Sequence, residues 1–164
     1  AGEELDAERF IAACAGERSR FVVVHPGAGK RENIWPPERF AAVVSALRER
    51  HGVFAVAVRG SVDGPATDAF LGCCPVRSAL VSSPAVGFLA SLMKRAACVL
   101  CNDTGVMHVA GAVGARCVAV FGPTDPLRWK PVNDTVVAVR ADDGLVESVT
   151  IRAVLDAAER LLVL

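Results

Sequence analysis

Six short apolar runs punctuate this chain, and helical segments separate them. The runs cover 21–25, 53–58, 76–80, 97–101, 117–121 and 135–139. Within most of them the apolar residues are continuous, which is typical of strands buried on both faces of a parallel sheet. The intervening segments predict helices over 36–51, 66–71, 86–93 and 106–113, and a closing helix over 149–162. We therefore expect an α/β fold, with a doubly wound parallel sheet and helices on both faces.

Size and charge narrow the class of protein further. The 164 residues fit one domain, 1–164, in which 1–18 form a leading helix or linker. Lys and Arg number 18 and are balanced by 18 Asp and Glu, which argues against a nucleic-acid partner bound through a basic excess. Because 52% of the residues are hydrophobic, disorder is excluded, yet no apolar run is long enough for a spanning helix.

The six cysteines are expected to be reduced structural thiols. Cys98 and Cys101 have the spacing of a redox or zinc motif, but no second pair or histidine cluster lies at ligand distance. They also fall three residues apart on a predicted strand, so their side chains should point to opposite faces. No metal site is predicted.

In a parallel sheet, ligands collect at the carboxyl ends of strands, which nominates the loops after His25, Val58 and Cys101. The first loop reads HPGAGKR and offers Gly27, Lys30 and Arg31, which suit an anion. Its glycines fit neither a dinucleotide fingerprint nor a P-loop. Taken alone, the pattern is more typical of an ordinary glycine-rich turn.

The second loop, NDTGVMH, is more specific. Asp103 ends a predicted strand, and Thr104 and Gly105 open a helix whose free amides and dipole favour phosphate. His108 lies one turn farther along, on the same face as Thr104. An acid, a hydroxyl, bare amides and an imidazole therefore converge. The alternative is that Asp103 or Thr104 merely caps the helix and that His108 packs under it.

A third loop, over 121–131, is stiffened by three prolines and carries Trp129. A rigid loop at this edge is suited to holding a ligand. The alternative is a loop pinned in place by a buried Trp129.

Together, the segments HPGAGKRENIWPPERF, NDTGVMHVAGAVG and VAVFGPTDPLRW resemble the carboxyl-terminal domain of glycosyltransferase family 9. These are the ADP-heptose:lipopolysaccharide heptosyltransferases and their relatives, and the resemblance covers about 21–162. It implies a GT-B enzyme with two Rossmann-like halves, of which the carboxyl-terminal half binds the nucleotide-sugar donor.

The resemblance also implies roles for individual residues. Thr104 and Gly105 would hold the donor diphosphate, Asp103 would contact sugar hydroxyls or phosphate, and His108 would lie beside the diphosphate. Asp63 would offer its carboxylate to the ribose, and main chain at Ser83 and Pro84 would face the adenine. The family's basic residue before the tryptophan is replaced here, since Asn33 and Ile34 precede Trp35, so Lys30 or Arg31 would reach the phosphate instead.

The implied activity is metal-independent, inverting transfer from a nucleotide sugar such as ADP-heptose, in lipopolysaccharide core assembly, without a cofactor. The family's catalytic base lies in an amino-terminal acceptor domain that these residues do not include, so no catalytic residue is assigned and this chain alone should be inactive. Its partners would be the donor and, through that domain, a lipopolysaccharide-type acceptor. The implied location is the cytoplasm, with the full-length enzyme at the inner membrane's cytoplasmic face as a further option.

Three other classes remain open. One is a nicotinamide-dependent oxidoreductase, disfavoured by the failed glycine fingerprint. Another is a non-catalytic phosphoanion-binding module. The third is a structural interaction domain, which would leave Asp103, Thr104 and His108 without a reason to converge.

Overall fold

A computed structural model describes residues 2–15, 20–75 and 77–163. Its centre is a six-stranded parallel sheet in the order β3-β2-β1-β4-β5-β6. The strands are β1 (Phe21–His25), β2 (Phe54–Arg59), β3 (Ser78–Ser82), β4 (Cys98–Asn102), β5 (Cys117–Phe121) and β6 (Val136–Arg140). The helices are α1 (Gly2–Ala15), α2 (Pro37–His51), α3 (Gly64–Cys73), α4 (Val86–Arg95), α5 (Gly105–Ala112), α6 (Pro126–Trp129) and α7 (Ile151–Val163).

The helices form two layers, one on each face of the sheet. On one face α2, α3 and α7 pack over alternate strand residues such as Val22 and Leu100. On the other face α1, α4 and α5 pack over the remaining strand residues, such as Val23 and Val99. The predicted doubly wound fold is thereby confirmed, and the continuous apolar runs are explained by burial on both faces.

Local signals in the sequence account for α2. Pro37 occupies the first turn, where its missing N–H costs nothing. Gly52 ends the helix at φ 66°, in the left-handed region that glycine adopts readily. The apolar face of α2 is buried as predicted, and it includes Phe40, Val43, Val44 and Leu47.

The predicted leading helix is present as α1, and β2, β3, β4 and β6 each begin one or two residues later than predicted. The leading helix packs as part of the domain, since Ile11 joins the core and the rings of Phe10 and Phe88 meet edge to face at 6.0 Å. The third strand lies over Ser78–Ser82 rather than 76–80, and Val76 is outside the described residues. As an edge strand it is only half-buried, so its apolar pattern is weak. No helix within the described ranges is both long and apolar enough to cross a membrane.

The strand order fixes where a ligand can enter. The chain crosses from β3 at one edge back to β4, which lies beside β1, so the topology reverses between β1 and β4. The loops that follow these two strands diverge at their carboxyl ends and leave a crevice there. This crevice receives HPGAGKR from one side and NDTGVMH from the other.

Candidate functional site

Asn102, the last residue of β4, ties the two sides of this crevice together. Its fully buried side chain donates from Nδ2 to the carbonyls of Pro26 (2.9 Å) and Gly27 (3.1 Å). Its Oδ1 accepts from the backbone N–H of Trp35 at 3.1 Å. One amide side chain therefore fixes the first loop and the turn before α2 against β4.

A cleft of about 250 Å³ opens beside this anchor, at the ends of the first three strands. We call it the strand-end cleft. Its lining includes the predicted adenine-facing residues Ser83 and Pro84, together with Gly60, Ser61 and Val106. Ser83 has a positive φ of 46° and its N–H donates to the Arg59 carbonyl at 2.8 Å, so the main chain there is held in a tight turn. The structure thus brings the loops after β2 and β3 up to the start of α5.

The amino terminus of α5 adjoins this cleft and has no side-chain cap. Thr104 stands at the N-cap position in extended conformation, but its hydroxyl makes no capping hydrogen bond. That hydroxyl is enclosed, and no partner for it exists among the described residues. Gly105 is exposed, and a Cβ placed on it would meet nothing within 4 Å. The first-turn N–H groups of Gly105 and Val106 have no partner within the helix, and no side chain caps them.

Asp103 does not cap the helix either. Its Oδ2 accepts a hydrogen bond from the Thr124 hydroxyl at 2.5 Å, which links the second loop to the third. Its N–H donates to the Val120 carbonyl at 2.9 Å. The interpretation that Asp103 or Thr104 is only a helix cap is wrong for both side chains.

The third loop is held by hydrogen bonds to neighbouring segments and not by a buried tryptophan, since Thr124 donates to Asp103 and Arg140 donates to the Gly122 carbonyl at 2.9 Å. Trp129 is 57% exposed. Asp125 caps α6 by accepting from the Leu127 N–H at 3.0 Å. The buried tryptophan is Trp35, whose Nε1 donates to the Val149 carbonyl at 2.9 Å. The alternative that Trp129 pins the loop is therefore wrong.

The candidate cations lie on the surface around the crevice. Lys30 and Arg31 are exposed on the first loop, and within the described part of the chain their side chains have no hydrogen-bond or ion-pair partner. His108 is exposed on α5, one turn beyond Thr104. All three are free to approach an anion.

Asp63 is the predicted site residue whose surroundings differ most from expectation. Its side chain is 4% exposed, and its Oδ2 lies 3.2 Å from Nε2 of His25. Its Oδ1 accepts from the Gly60 N–H at 2.6 Å. A Cβ on Gly27 would come within 2.2 Å of the Asp63 Cβ, so only glycine fits there. Both carboxylate oxygens are thus engaged inside the protein, because the loops after β1 and β2 pack directly on each other.

Sequence reasoning missed Asn102, His25 and Thr124 as individual site residues. Asn102 and His25 end buried strands, and a polar residue at the end of such a strand is the signal that could have identified them. The contact between Thr124 and Asp103 joins residues 21 positions apart, and no local sequence pattern in either segment predicts it.

A second, larger groove of about 540 Å³ runs between α1 and the end of α4. It lies at the amino end of β1, beside Phe21, and its lining includes the ion pair of Glu8 with Arg95. Since ligands of parallel sheets collect at the opposite edge, we assign the site to the strand-end cleft. Among the described residues, no group of His, Cys, Asp and Glu is placed to hold a metal ion.

The arrangement places the strand-end cleft beside helix amides that no side chain caps. Such amides can donate hydrogen bonds to an anion such as a phosphate. Lys30 and Arg31 can neutralise the remaining charge. Asp103 lies beyond the helix terminus, where it can accept from a hydroxyl.

Comparison with known proteins gives a family match. Residues 2–156 match the model of glycosyltransferase family 9 (heptosyltransferase). A lipopolysaccharide heptosyltransferase 3 of Escherichia coli is 27% identical over 132 residues, which are 79% of this chain and 39% of that protein.

Two solved structures share the fold. The family 9 glycosyl transferase of Veillonella parvula superimposes with a TM-score of 0.91 at 22% identity, over 99% of this chain and 52% of that one. Escherichia coli heptosyltransferase WaaC, solved with ADP, has a TM-score of 0.79 at 18% identity, over 94% and 48%. The chain thus spans about half or less of each of these relatives.

Proposed function

This chain belongs to glycosyltransferase family 9, and we propose that it is the donor-binding half of a heptosyltransferase-like enzyme of lipopolysaccharide core assembly. The observation that carries the proposal is the uncapped α5 terminus beside the strand-end cleft, at the point where the strand order reverses. The relatives carry heptosyltransferase names, and one of them was solved with ADP, which makes ADP-heptose the donor we propose.

The donor would lie across three loops. Its adenine would enter the strand-end cleft against main chain at Ser83 and Pro84. Its diphosphate would accept hydrogen bonds from the amides of Gly105 and Val106, with Thr104 and His108 beside it. The Thr104 hydroxyl faces inward, so it would reach a phosphate by rotating about χ1. This placement leaves the sugar near Asp103.

Lys30 and Arg31 would screen the diphosphate from the side of the first loop. Both are exposed and unpaired in the described part of the chain, so the move toward an anion breaks no existing ion pair. Gly27 serves differently, since it allows the first loop to pack on Asp63.

Transfer of a sugar to an acceptor hydroxyl requires a base for that hydroxyl and stabilisation of the departing nucleoside diphosphate. The α5 amides would supply the second requirement, because the helix holds them where negative charge develops on the leaving group. Lys30 and Arg31 would add charge once they have moved toward the diphosphate. We propose that the base and the acceptor site lie in a second domain, completing a GT-B enzyme that inverts the anomeric carbon by direct displacement. No step of this scheme calls for a metal or a cofactor.

Two measurements on the 164-residue chain test this proposal together. Calorimetric titration should give weak ADP binding, on the order of −4 to −6 kcal/mol, which is a high-micromolar to millimolar Kd. A transfer assay with ADP-heptose and a lipopolysaccharide core acceptor should give no product. Robust transfer by this chain alone, or no ADP binding at all, would overturn the proposal. The cytoplasm is the proposed location.

A further inference from the structure

His25 lines the strand-end cleft and forms a buried pair with Asp63 behind it. His25 is the last residue of β1, and Asp63 precedes α3. Their side chains are 6% and 4% exposed, and Nε2 of His25 lies 3.2 Å from Oδ2 of Asp63. Two ionisable groups so enclosed require partners, since an unpaired buried charge is costly.

Hydrogen bonds on both sides hold the pair in place. Nδ1 of His25 lies 3.1 Å from the Val58 carbonyl, which can only accept, so Nδ1 carries a hydrogen. Oδ1 of Asp63 accepts from the Gly60 N–H at 2.6 Å. Nε2 of His25 faces Oδ2 of Asp63. Each polar atom of the pair therefore has a partner within the protein, and the carboxylate is almost wholly enclosed.

The pair also fixes the distance between two loops of the cleft. Asp63 packs against Gly27 so closely that a Cβ on Gly27 would lie 2.2 Å from the Asp63 Cβ. From the other side, Asn102 holds the Gly27 carbonyl at 3.1 Å. A continuous series of contacts thus runs from Asp63 through Gly27 to the end of β4, three residues before the first residue of α5.

We infer that Asp63 acts on nucleotide binding as a positioning residue, through His25, Gly60 and Gly27, and not through contact with the ribose. This inference rests on the proposed function for its ligand. Removal of the Asp63 side chain releases the loops after β1 and β2 from each other and widens the cleft. A nucleotide then binds less tightly whether or not its ribose carries hydroxyls.

The test combines two substitutions with two ligands. In Asp63→Asn, the amide oxygen can still accept from Gly60 and the amide nitrogen can donate to Nε2 of a neutral His25, so the loops stay in place. In Asp63→Ala both contacts vanish. The matched control is Asp156→Ala, which removes an exposed carboxylate paired with Arg152 on α7. Each variant is titrated with ADP and with 2′,3′-dideoxy-ADP, and its fold is checked by thermal unfolding.

Asp63→Asn and the control should bind ADP within about twofold of the parent chain, and Asp63→Ala about tenfold or more weakly. The decisive comparison is between ligands, because Asp63→Ala should lose the same factor for ADP and for the dideoxy analogue. A loss confined to ADP would place the carboxylate on the ribose hydroxyls and overturn the inference. Unchanged ADP affinity in Asp63→Ala would also overturn it.

Amide hydrogen exchange of the ligand-free chains separates this inference from the proposed function. Exchange at Gly60 should accelerate in Asp63→Ala and stay slow in Asp63→Asn, because Oδ1 accepts the Gly60 N–H. Failure of the parent chain to bind ADP would overturn the proposed function and, with it, the role of Asp63 in nucleotide binding. Hydrogen exchange at Gly60 would still decide whether Asp63 holds the loops in place. Equal exchange at Gly60 in all variants would overturn the positioning role itself.

Discussion

Gly105→Val places a side chain where the diphosphate is proposed to lie. A Cβ at this position meets no atom within 4 Å, and Gly105 does not have a positive φ, so the fold has room for valine. Valine also favours helix slightly more than glycine does, so the melting temperature should be unchanged or somewhat higher.

The expected loss follows from the amides that valine covers. Gly105 and Val106 each offer one unpartnered first-turn N–H, and a hydrogen bond to a charged group is worth about 1.5–3 kcal/mol. Losing both costs about 3 kcal/mol or more, which weakens ADP binding on the order of 100-fold. Since the parent affinity is already weak, ADP binding should become undetectable.

The assay is a titration of parent and variant with ADP and with adenosine, followed by calorimetry or by amide chemical shifts. Adenosine lacks phosphates, so its affinity should be almost unchanged. Gly72→Val is the matched control, because Gly72 is also helical, exposed and without neighbours around its Cβ position. If ADP and adenosine affinities fall together, or if neither falls, the diphosphate does not bind at α5.

Three further predictions concern neighbouring features. Thr104→Val should weaken ADP binding by about 1–2 kcal/mol and leave adenosine binding unaffected. It should not lower the melting temperature, because the hydroxyl that it removes is buried without a partner among the described residues, and a lower melting temperature would show that this hydroxyl is hydrogen-bonded. Asn102→Ala should lower the free energy of unfolding in urea by about 2–4 kcal/mol, because the Trp35 N–H and the carbonyls of Pro26 and Gly27 lose their hydrogen-bond partner. A loss below about 1 kcal/mol would contradict this role of Asn102. All six cysteines should alkylate in denaturant without reductant, and an intramolecular disulfide in the fresh protein would refute this. In the native chain the exposed Cys73 should react first. Burial raises the pKa of the Cys98 thiol and a hydrogen bond to Cys101 raises the pKa of the Cys117 thiol, so both thiols stay protonated.

Most of the fold could be predicted because its signals are local. The runs at β1 and β5 each follow an arginine and are ended by a Pro-Gly or Gly-Pro pair, and the structure has both strands at the predicted limits. The opposite orientation of Cys98 and Cys101 is also confirmed, since they belong to the cores on different faces of the sheet. The predicted position of the third strand is two residues too early, because an edge strand is half-exposed and its hydrophobic pattern is weak.

The candidate site was predictable in its loops and not in its contacts. Strand ends in a parallel sheet meet at one edge, so the sequence sufficed to nominate HPGAGKR and NDTGVMH. Burial of Asp63 on His25 depends on how two loops 38 residues apart along the chain pack in space, as does the bond between Asp103 and Thr124. Trp129 shows the same limit of sequence-based prediction, because the local sequence of a proline-rich loop does not indicate whether its tryptophan is buried or exposed.

Ranking nucleotide affinities is the most direct test of the proposal that this domain binds a nucleotide-sugar donor. The 164-residue chain is titrated with ADP, UDP, GDP and NAD under one set of conditions. The account predicts measurable binding of ADP, stronger than that of UDP or GDP, and no preference for NAD, because the first loop lacks a dinucleotide fingerprint. A preference for NAD, or no binding of any nucleoside diphosphate at millimolar concentration, would contradict it.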